Sequence, residues 1–330
     1  MKNLFKKLFP RRIVGIDIGT WAIKMVEISS WGKSKTLKNY SQVKSELVLK
    51  KPLGQKGENT TIPSDLAALA IREMLDEAKI KTKAVIFSVP DFSTFCTTFE
   101  IPLMPEKEVP GAILYNASRY LTLPISEVTL DWRIVSDIVS ENASGIKVFV
   151  VAIPNQAVQE YKTIAKNAGL ELYAIESEVF GITRALIKDD KKTICLVDIG
   201  VQSSTLNIID RGLLKRSYSF NFNKEQLPEN LVFEGQKLES LFEPLFTEIK
   251  NISNEFYQSE QKEIEELYLT GGRANLPGLK EYFTKSIGKQ ASIPNCFMGF
   301  SYPKILEDTL FDMSPSFSAA TGVALNGLDI

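Results

Sequence analysis

A strand, an Asp-Ile-Gly turn and a second strand occur twice in this chain, once near its N-terminus and again past its midpoint. The first copy runs through Ile13, Val14 and Ile16 into Asp17-Ile18-Gly19-Thr20 and leaves through Ile23, Met25, Val26 and Ile28. The second runs Thr193–Val197, Asp198-Ile199-Gly200-Val201 and Ser204–Ile209. Apolar residues flanking a glycine turn predict two hairpins. Repetition of the unit predicts a duplicated, two-lobe α/β fold. The 330 residues suffice for two cores, since single cores rarely grow past ~250–300 residues.

Such hairpins suit a metal-bound polyphosphate. Glycine lets backbone N–H groups approach phosphate oxygens, a following hydroxyl adds a hydrogen bond, and the aspartate faces the metal through water. Asp17, Gly19 and Thr20 supply the first copy, with Lys24 placed to carry its ammonium back to the phosphates. Asp198, Gly200, Ser203 and Ser204 supply the second. One such turn occurs in many sheet proteins; two in matching surroundings, followed by a strand and Thr270-Gly271-Gly272 where an adenosine could rest, point to a nucleotide.

Composition narrows the chemistry. The chain has no histidine, which excludes His-based nucleophilic catalysis, metal ligation and pH switching. A net charge of −1 gives no basic excess to hold a nucleic acid. Cys96, Cys195 and Cys296 are odd in number and far apart, unlike a disulfide framework or a metal knuckle. No stretch approaches ~18–20 uninterrupted apolar residues, and no signal sequence is evident, so a cytoplasmic location is expected. Residues 1–12, MKNLFKKLFPRR, form a basic tail that reads either as a short interfacial helix or as a solvated end stopped by Pro10.

Between the hairpins, a polar, Lys- and Gly-rich connection to Thr61 precedes a helix over Ser64–Lys79 and a buried strand over Ala84–Val89. Strand Phe95–Ile101, helix Pro110–Tyr120 and strands Val128–Val135 and Ile146–Ile153 give a compact β-α-β-β insertion. A helix over Asn155–Ala168 turns Val158, Tyr161, Ile164, Ala165 and Ala168 inward and stops at Gly169. After the second hairpin, a long helix near Lys237–Gln261 carries a stripe from Leu238 and Leu241 through Phe242, Leu245, Ile249, Ile252 and Phe256. Strand Glu266–Leu269 feeds Thr270-Gly271-Gly272-Arg273, and a last helix starts near Ser316–Ala320. The lobes are thus expected at 13–90 plus 155–192 and at 193–330, with the insertion at 91–154.

This order resembles the actin-like (ribonuclease H-like) superfamily. Within it, the segment Met104 to Trp132 is similar to the inserted, SHS2-like subdomain of the PilM family of type IV pilus assembly proteins. Arg119, Tyr120, Pro124, Glu127, Val128, Leu130 and Asp131 fit that pattern, and Ala319–Gly327 resembles the family's C-terminus. The likeness covers most of Ile13–Gly327. It implies ATP or ADP with Mg2+: Asp17, Gly19, Thr20 and Lys24 at one phosphate turn, and Asp198, Gly200, Gln202, Ser203 and Ser204 at the other. Gly271, Gly272 and Arg273 would form the adenosine turn, with Asp17 and Asp198 facing the metal through water. Glu178 falls where the superfamily carries an acid facing the attacking water, and Glu176 is its competitor.

In the family a PilN-type N-terminal peptide lies in a groove, so the resemblance implies a scaffold at the cytoplasmic face of the inner membrane, attached through that partner. Candidate groove positions lie in Phe92–Ile101 and Pro110–Tyr120. Self-association is left open. Two departures argue for a structural or regulatory nucleotide site over an efficient ATPase. Arg216 to Leu238 is too short for the second lobe's small subdomain, and Trp21 stands where the family has a small residue. An FtsA-like division protein and a small-molecule kinase of the same superfamily are the alternatives.

Overall fold

The computed structural model describes residues 11–49, 62–135, 145–188, 191–201, 203–221 and 236–329. Residues 1–10 of the basic tail, Gln202 and the connection 222–235 lie outside them, as do the side chains of Leu238 and Leu241. Strands β1 (Arg11–Ile18), β2 (Ala22–Trp31) and β3 (Ser34–Lys44) open the chain, followed by helices α1 (Ser45–Leu49) and α2 (Ser64–Glu77) and strand β4 (Ala84–Val89). Next come β5 (Phe95–Pro102), α3 (Val109–Ala117), β6 (Val128–Ile134), β7 (Gly145–Pro154), α4 (Asn155–Ala168), β8 (Glu171–Ser177) and α5 (Glu178–Leu186). The second half contains β9 (Thr193–Ile199), β10 (Ser203–Asp210), β11 (Leu213–Asn221), α6 (Gln236–Glu260), β12 (Glu266–Thr270), α7 (Leu279–Ile287), β13 (Ala291–Ser292), β14 (Phe300–Ser301) and α8 (Glu307–Asp329).

The duplication is visible in the sheets. One has the order β14-β3-β2-β1-β4-β8 and the other β11-β10-β9-β12-β13. Leaving β14 aside, each reads third, second, first, fourth, fifth. In each, the first three strands are antiparallel and the last two run parallel to the first. β1 and β9 are buried almost continuously, as strands covered on both faces are. In the second lobe, Phe242, Leu245, Phe246, Ile249, Ile252 and Phe256 of α6 pack with Leu279 and Phe283 over Val197, Leu206, Leu267 and Leu269.

Three elements differ from the sequence expectation. Ser34–Lys44, read as connection, is a strand. Only Leu37 in it is buried, so it lacks an apolar alternation. Its ladder to β2 and the Asn39 amide donating to Glu27 Oε2 at 2.7 Å hold it instead. Glu171–Ser177 is likewise a strand, pairing with β4 though mostly half-buried. The last helix begins at Glu307 and passes through Pro315, a residue that normally ends or kinks a helix.

That helix also changes the lobe assignment. A Cβ at Gly15 of β1 would overlap the carbonyl oxygen of Ala320 and stand 2.7 Å from Ala324 Cβ, while one at Gly327 would stand 2.6 Å from Ile13 Cγ1. α8 therefore lies on the first sheet, although sequence order puts it after the second lobe; small residues let the two backbones meet. β14 likewise pairs with β3.

Pro90 to Thr163 is a separate compact unit. Its three strands have the order β5-β7-β6, and α3 closes one face over a core of Phe99, Ile101, Val109, Ile113, Ala117, Val148 and Val150. The chain order is β-α-β-β, and the unit includes the first turns of α4, beyond residue 154. No described helix is long and apolar enough to cross a membrane.

Candidate functional site

The two hairpins close alike. Gly19 N–H donates to Ala22 O at 3.1 Å, and Gly200 N–H donates to Ser203 O at 2.9 Å. A Cβ at Gly200 would stand 2.7 Å from Ser203 O, so that turn depends on the missing side chain, and one at Gly19 would make a tight contact of 3.2 Å with Ala22 O.

In the first hairpin, register sets Asp17 opposite Lys24 on β2 and beside Ser88 on β4. Asp17 is buried; Ser88 Oγ donates to its Oδ1 at 2.7 Å, and Lys24 Nζ lies 3.7 Å from its Oδ2. Lys24 is thus held beside the carboxylate, within the turn where the phosphates are expected. Thr20 is half-buried at the tip. Trp21 is half-buried too, with Lys44 Nζ 5.0 Å from its ring centroid, a cation–π contact. Its carbonyl accepts from Ser45 N–H at 2.8 Å, and the Ser45 hydroxyl donates to Gly19 O at 3.3 Å, tying the turn to the start of α1. Sequence reasoning missed Ser88, which its position at the end of a buried strand could have signalled. Ser88→Ala removes a fully buried hydrogen bond to a carboxylate and is expected to cost roughly 1.5–3 kcal/mol in urea unfolding.

In the second hairpin, Ser203 is half-buried, but Ser204 is only 1% exposed. Ser204 lies opposite Ile199 and shares the face of Leu206, both core residues. Its hydroxyl therefore lies on the core-facing side of β10. The Thr270-Gly271-Gly272-Arg273 turn sits directly on this hairpin. Thr270 pairs in register with Asp198, and Arg273 N–H donates to Ile199 O at 3.1 Å. Gly271, at φ +93°, passes so close that a Cβ would overlap Asp198 Oδ1 and stand 2.5 Å from Ile199 O. Gly272 has open space around it, while Arg273 is buried.

α8 links the two halves. The carbonyl of Pro315 accepts from Gly271 N–H at 2.9 Å and from the Thr270 hydroxyl at 2.9 Å, and the Ser318 hydroxyl lies 2.7 Å from that of Thr270. Two residues further along, Ala320 covers Gly15 of β1, just before Asp17. One helix therefore sets the 270–273 turn and the first hairpin's strand together.

Of the two competing acids, Glu176 is committed elsewhere. Arg184 donates to both its oxygens, at 2.7 and 2.6 Å, and to Gly322 O at 2.9 Å. Glu178, half-buried, is the first residue of α5, and its strand β8 runs beside the strand that carries Ser88. Burial pushes the Cys195 thiol up to about 12 and the Cys296 thiol up to about 11, and burial followed by the Asp91 charge pushes Cys96 up to about 12, so none is a poised nucleophile.

The donor set fits magnesium nucleotide chemistry. Magnesium takes oxygen ligands and is usually held by one or two carboxylates together with phosphates and waters. Asp17 and Asp198, one at each Asp-Ile-Gly turn, are carboxylates of that kind. A surface cavity of about 440 Å³, lined by Lys250, Asn254, Tyr257, Ile264 and Lys289 among others, lies by the opposite end of β12 from Thr270 and is not part of this site.

The family model described as "Type IV pilus assembly protein PilM" matches residues 15–232 and 221–328. The chain belongs to the PilM family. A structure described as a PilM–PilN type IV pilus biogenesis complex shares the fold with a TM-score of 0.79 at 23% identity, covering 96% of this chain and 98% of that one. The cytoplasmic domain of EpsL, an inner-membrane component of the type II secretion system of Vibrio cholerae, gives a TM-score of 0.51 at 9% identity over 97% of this chain and 96% of that one. Membership of the PilM family places this chain among type IV pilus assembly proteins, and the PilM–PilN structure shares its fold.

Proposed function

We propose that this PilM-family chain is a cytoplasmic scaffold of type IV pilus assembly that holds Mg-ATP or Mg-ADP at its paired hairpins and captures the cytoplasmic N-terminal peptide of a PilN-type protein. The observation that carries the nucleotide part is the seating of Gly271 on Asp198, together with a matching hairpin at Asp17 in the other sheet. Ligands of open α/β sheets bind outside the carboxyl ends of strands, where both aspartates stand. Asp17 and Asp198 would act on the metal through water, and Lys24 on the phosphates. Gly19, Thr20, Gly200, Gln202 and Ser203 would offer amides and hydroxyls, Gly271, Gly272 and Arg273 would meet the adenosine, and Glu178 would orient a water. Hydrolysis is expected to be slow or absent, and membrane association to come through the partner.

The peptide part rests on the family and on the inserted unit, whose strand β5 forms one edge of its sheet and whose Phe92 is 66% exposed. An extended peptide can add to such an edge.

Two measurements separate these parts. Fluorescence titration is expected to show Mg-dependent ADP binding that Asp17→Asn weakens at least tenfold, a change of about 1.4 kcal/mol; binding that ignores both magnesium and the substitution would overturn the nucleotide site. An immobilised PilN-type N-terminal peptide is expected to retain the chain. Failure to do so both with and without Mg-ATP would sink the pilus partner, and phosphorylation of a small acceptor would favour the kinase alternative.

A further inference from the structure

The other edge of the inserted sheet is β6. Val135 N–H donates to Lys147 O at 2.9 Å, and the β6–β7 register sets Arg133 opposite Phe149 and Asp131 opposite Val151. Because ladder bonds in an antiparallel pair alternate, residues 129, 131 and 133 direct their backbone groups toward β7, and Leu130, Trp132 and Ile134 direct theirs outward. The outward N–H of Trp132 donates to the Asp131 side chain at 2.9 Å, a stand-in for a strand partner. Trp132 and Ile134 are each 38% exposed. They share one face with Leu130, and exposed Asp131 and Arg133 share the other.

Among the described residues no strand lies beyond β6, and such an edge is a template for another strand, with cross-strand charges then selecting the register. Two copies of β6 can pair antiparallel about a two-fold axis only with outward residues facing one another. Centring on Trp132 places Leu130 opposite Ile134 and Asp131 opposite Arg133, twice. Sliding by one step centres on Asp131 or on Arg133 and sets like charges against each other. We propose that β6 is a self-complementary edge through which two copies of this chain pair about Trp132, with two Asp131–Arg133 charge pairs fixing the register. This goes beyond the nucleotide and peptide reading and depends on neither. One short strand buries less than a standard interface, below ~1,200 Å², so the dimer is weak and forms where copies are crowded.

Sedimentation equilibrium of the full chain is expected to show reversible dimers that Asp131→Arg or Arg133→Asp weakens at least tenfold. Both substitutions together restore affinity to within a few-fold, because the charges have exchanged places; a folding defect would not be rescued this way. In the paired register Trp132 meets its own copy across a hydrogen-bonded pair, with Cα atoms about 5.5 Å apart, within disulfide range. Trp132→Cys should therefore cross-link on oxidation, whereas Leu130→Cys and Ile134→Cys alone should not. A chain that stays monomeric at millimolar concentration, a double substitution without rescue, or cross-linking at 130 or 134 instead of 132 would overturn the pairing. So would loss of peptide capture, in place of dimer loss, in the single charge variants, which would assign the edge to the partner.

Discussion

Gly322→Ala is expected to be among the most destabilising single-methyl changes this chain can suffer. Gly322 of α8 crosses α5 at Gly181, and a Cβ there would overlap the carbonyl group of Gly181 and stand 2.7 Å from its Cα. The reciprocal Cβ on Gly181 would meet Val323 Cγ1 at 3.0 Å and Ala319 O at 3.2 Å, so both sides of the crossing are already filled. The obstacle at 322 is backbone inside a helix and cannot swing away. The Gly322 carbonyl of α8 also accepts from Arg184, whose guanidinium neutralises the largely buried Glu176, so displacing the helix disturbs an ion pair too. Overpacking typically costs 1–3 kcal/mol where side chains can adjust; here roughly 3 kcal/mol or more is expected in urea unfolding. Gly272→Ala and Gly111→Ala, with nothing near their added methyls, are the controls and should change stability far less. A Gly322→Ala chain as stable as these would show that the two helices are not in backbone contact.

Gly271→Val should be nearly as damaging and should also strike the nucleotide. The position has φ +93°, which an L residue with a branched side chain adopts only under strain of order 1–3 kcal/mol. Its side chain would collide with Asp198 and with the backbone of Ile199, forcing the 270–273 turn off the second hairpin and breaking its bonds to Pro315 O and Ile199 O. The expected result is a lowered urea midpoint together with loss of the thermal shift given by Mg-ADP, a shift worth about 2.7 kcal/mol when nucleotide is a hundredfold over its Kd. Retention of the full shift would show that this turn does not form part of the nucleotide site.

What could be read from the sequence was local. Asp17-Ile18-Gly19 and Asp198-Ile199-Gly200 are hairpins whose strands pair with their neighbours in the chain, so alternation and one glycine define them. What escaped was decided by distant partners. β3 is held by its ladder to β2 and by Asn39 on Glu27, and has only Leu37 buried. Ser88 acquires meaning only beside Asp17, a neighbour in space and not in sequence. Glu178 competes with Glu176 in the sequence, and only a partner eight residues on, Arg184, commits Glu176 elsewhere. Ser204, read as a phosphate contact from its motif, faces the core because strand parity gives Ser203 the other side. The last helix starts at Glu307, ahead of the expected Ser316–Ala320, and passes through Pro315.

The cover that α8 gives to Gly15 has a consequence for how the chain is made. Ala320 and Ala324 are about 300 residues downstream of the strand they cover, so the ribosome must add all of those residues before that face of the first sheet can close. At ~5–20 residues per second this leaves the opening strands without their lid for roughly 15–60 s. During that interval an apolar sheet surface stands open, and a translation stall before α8 would release a nascent product with its first lobe unsealed, a substrate for chaperones and proteases.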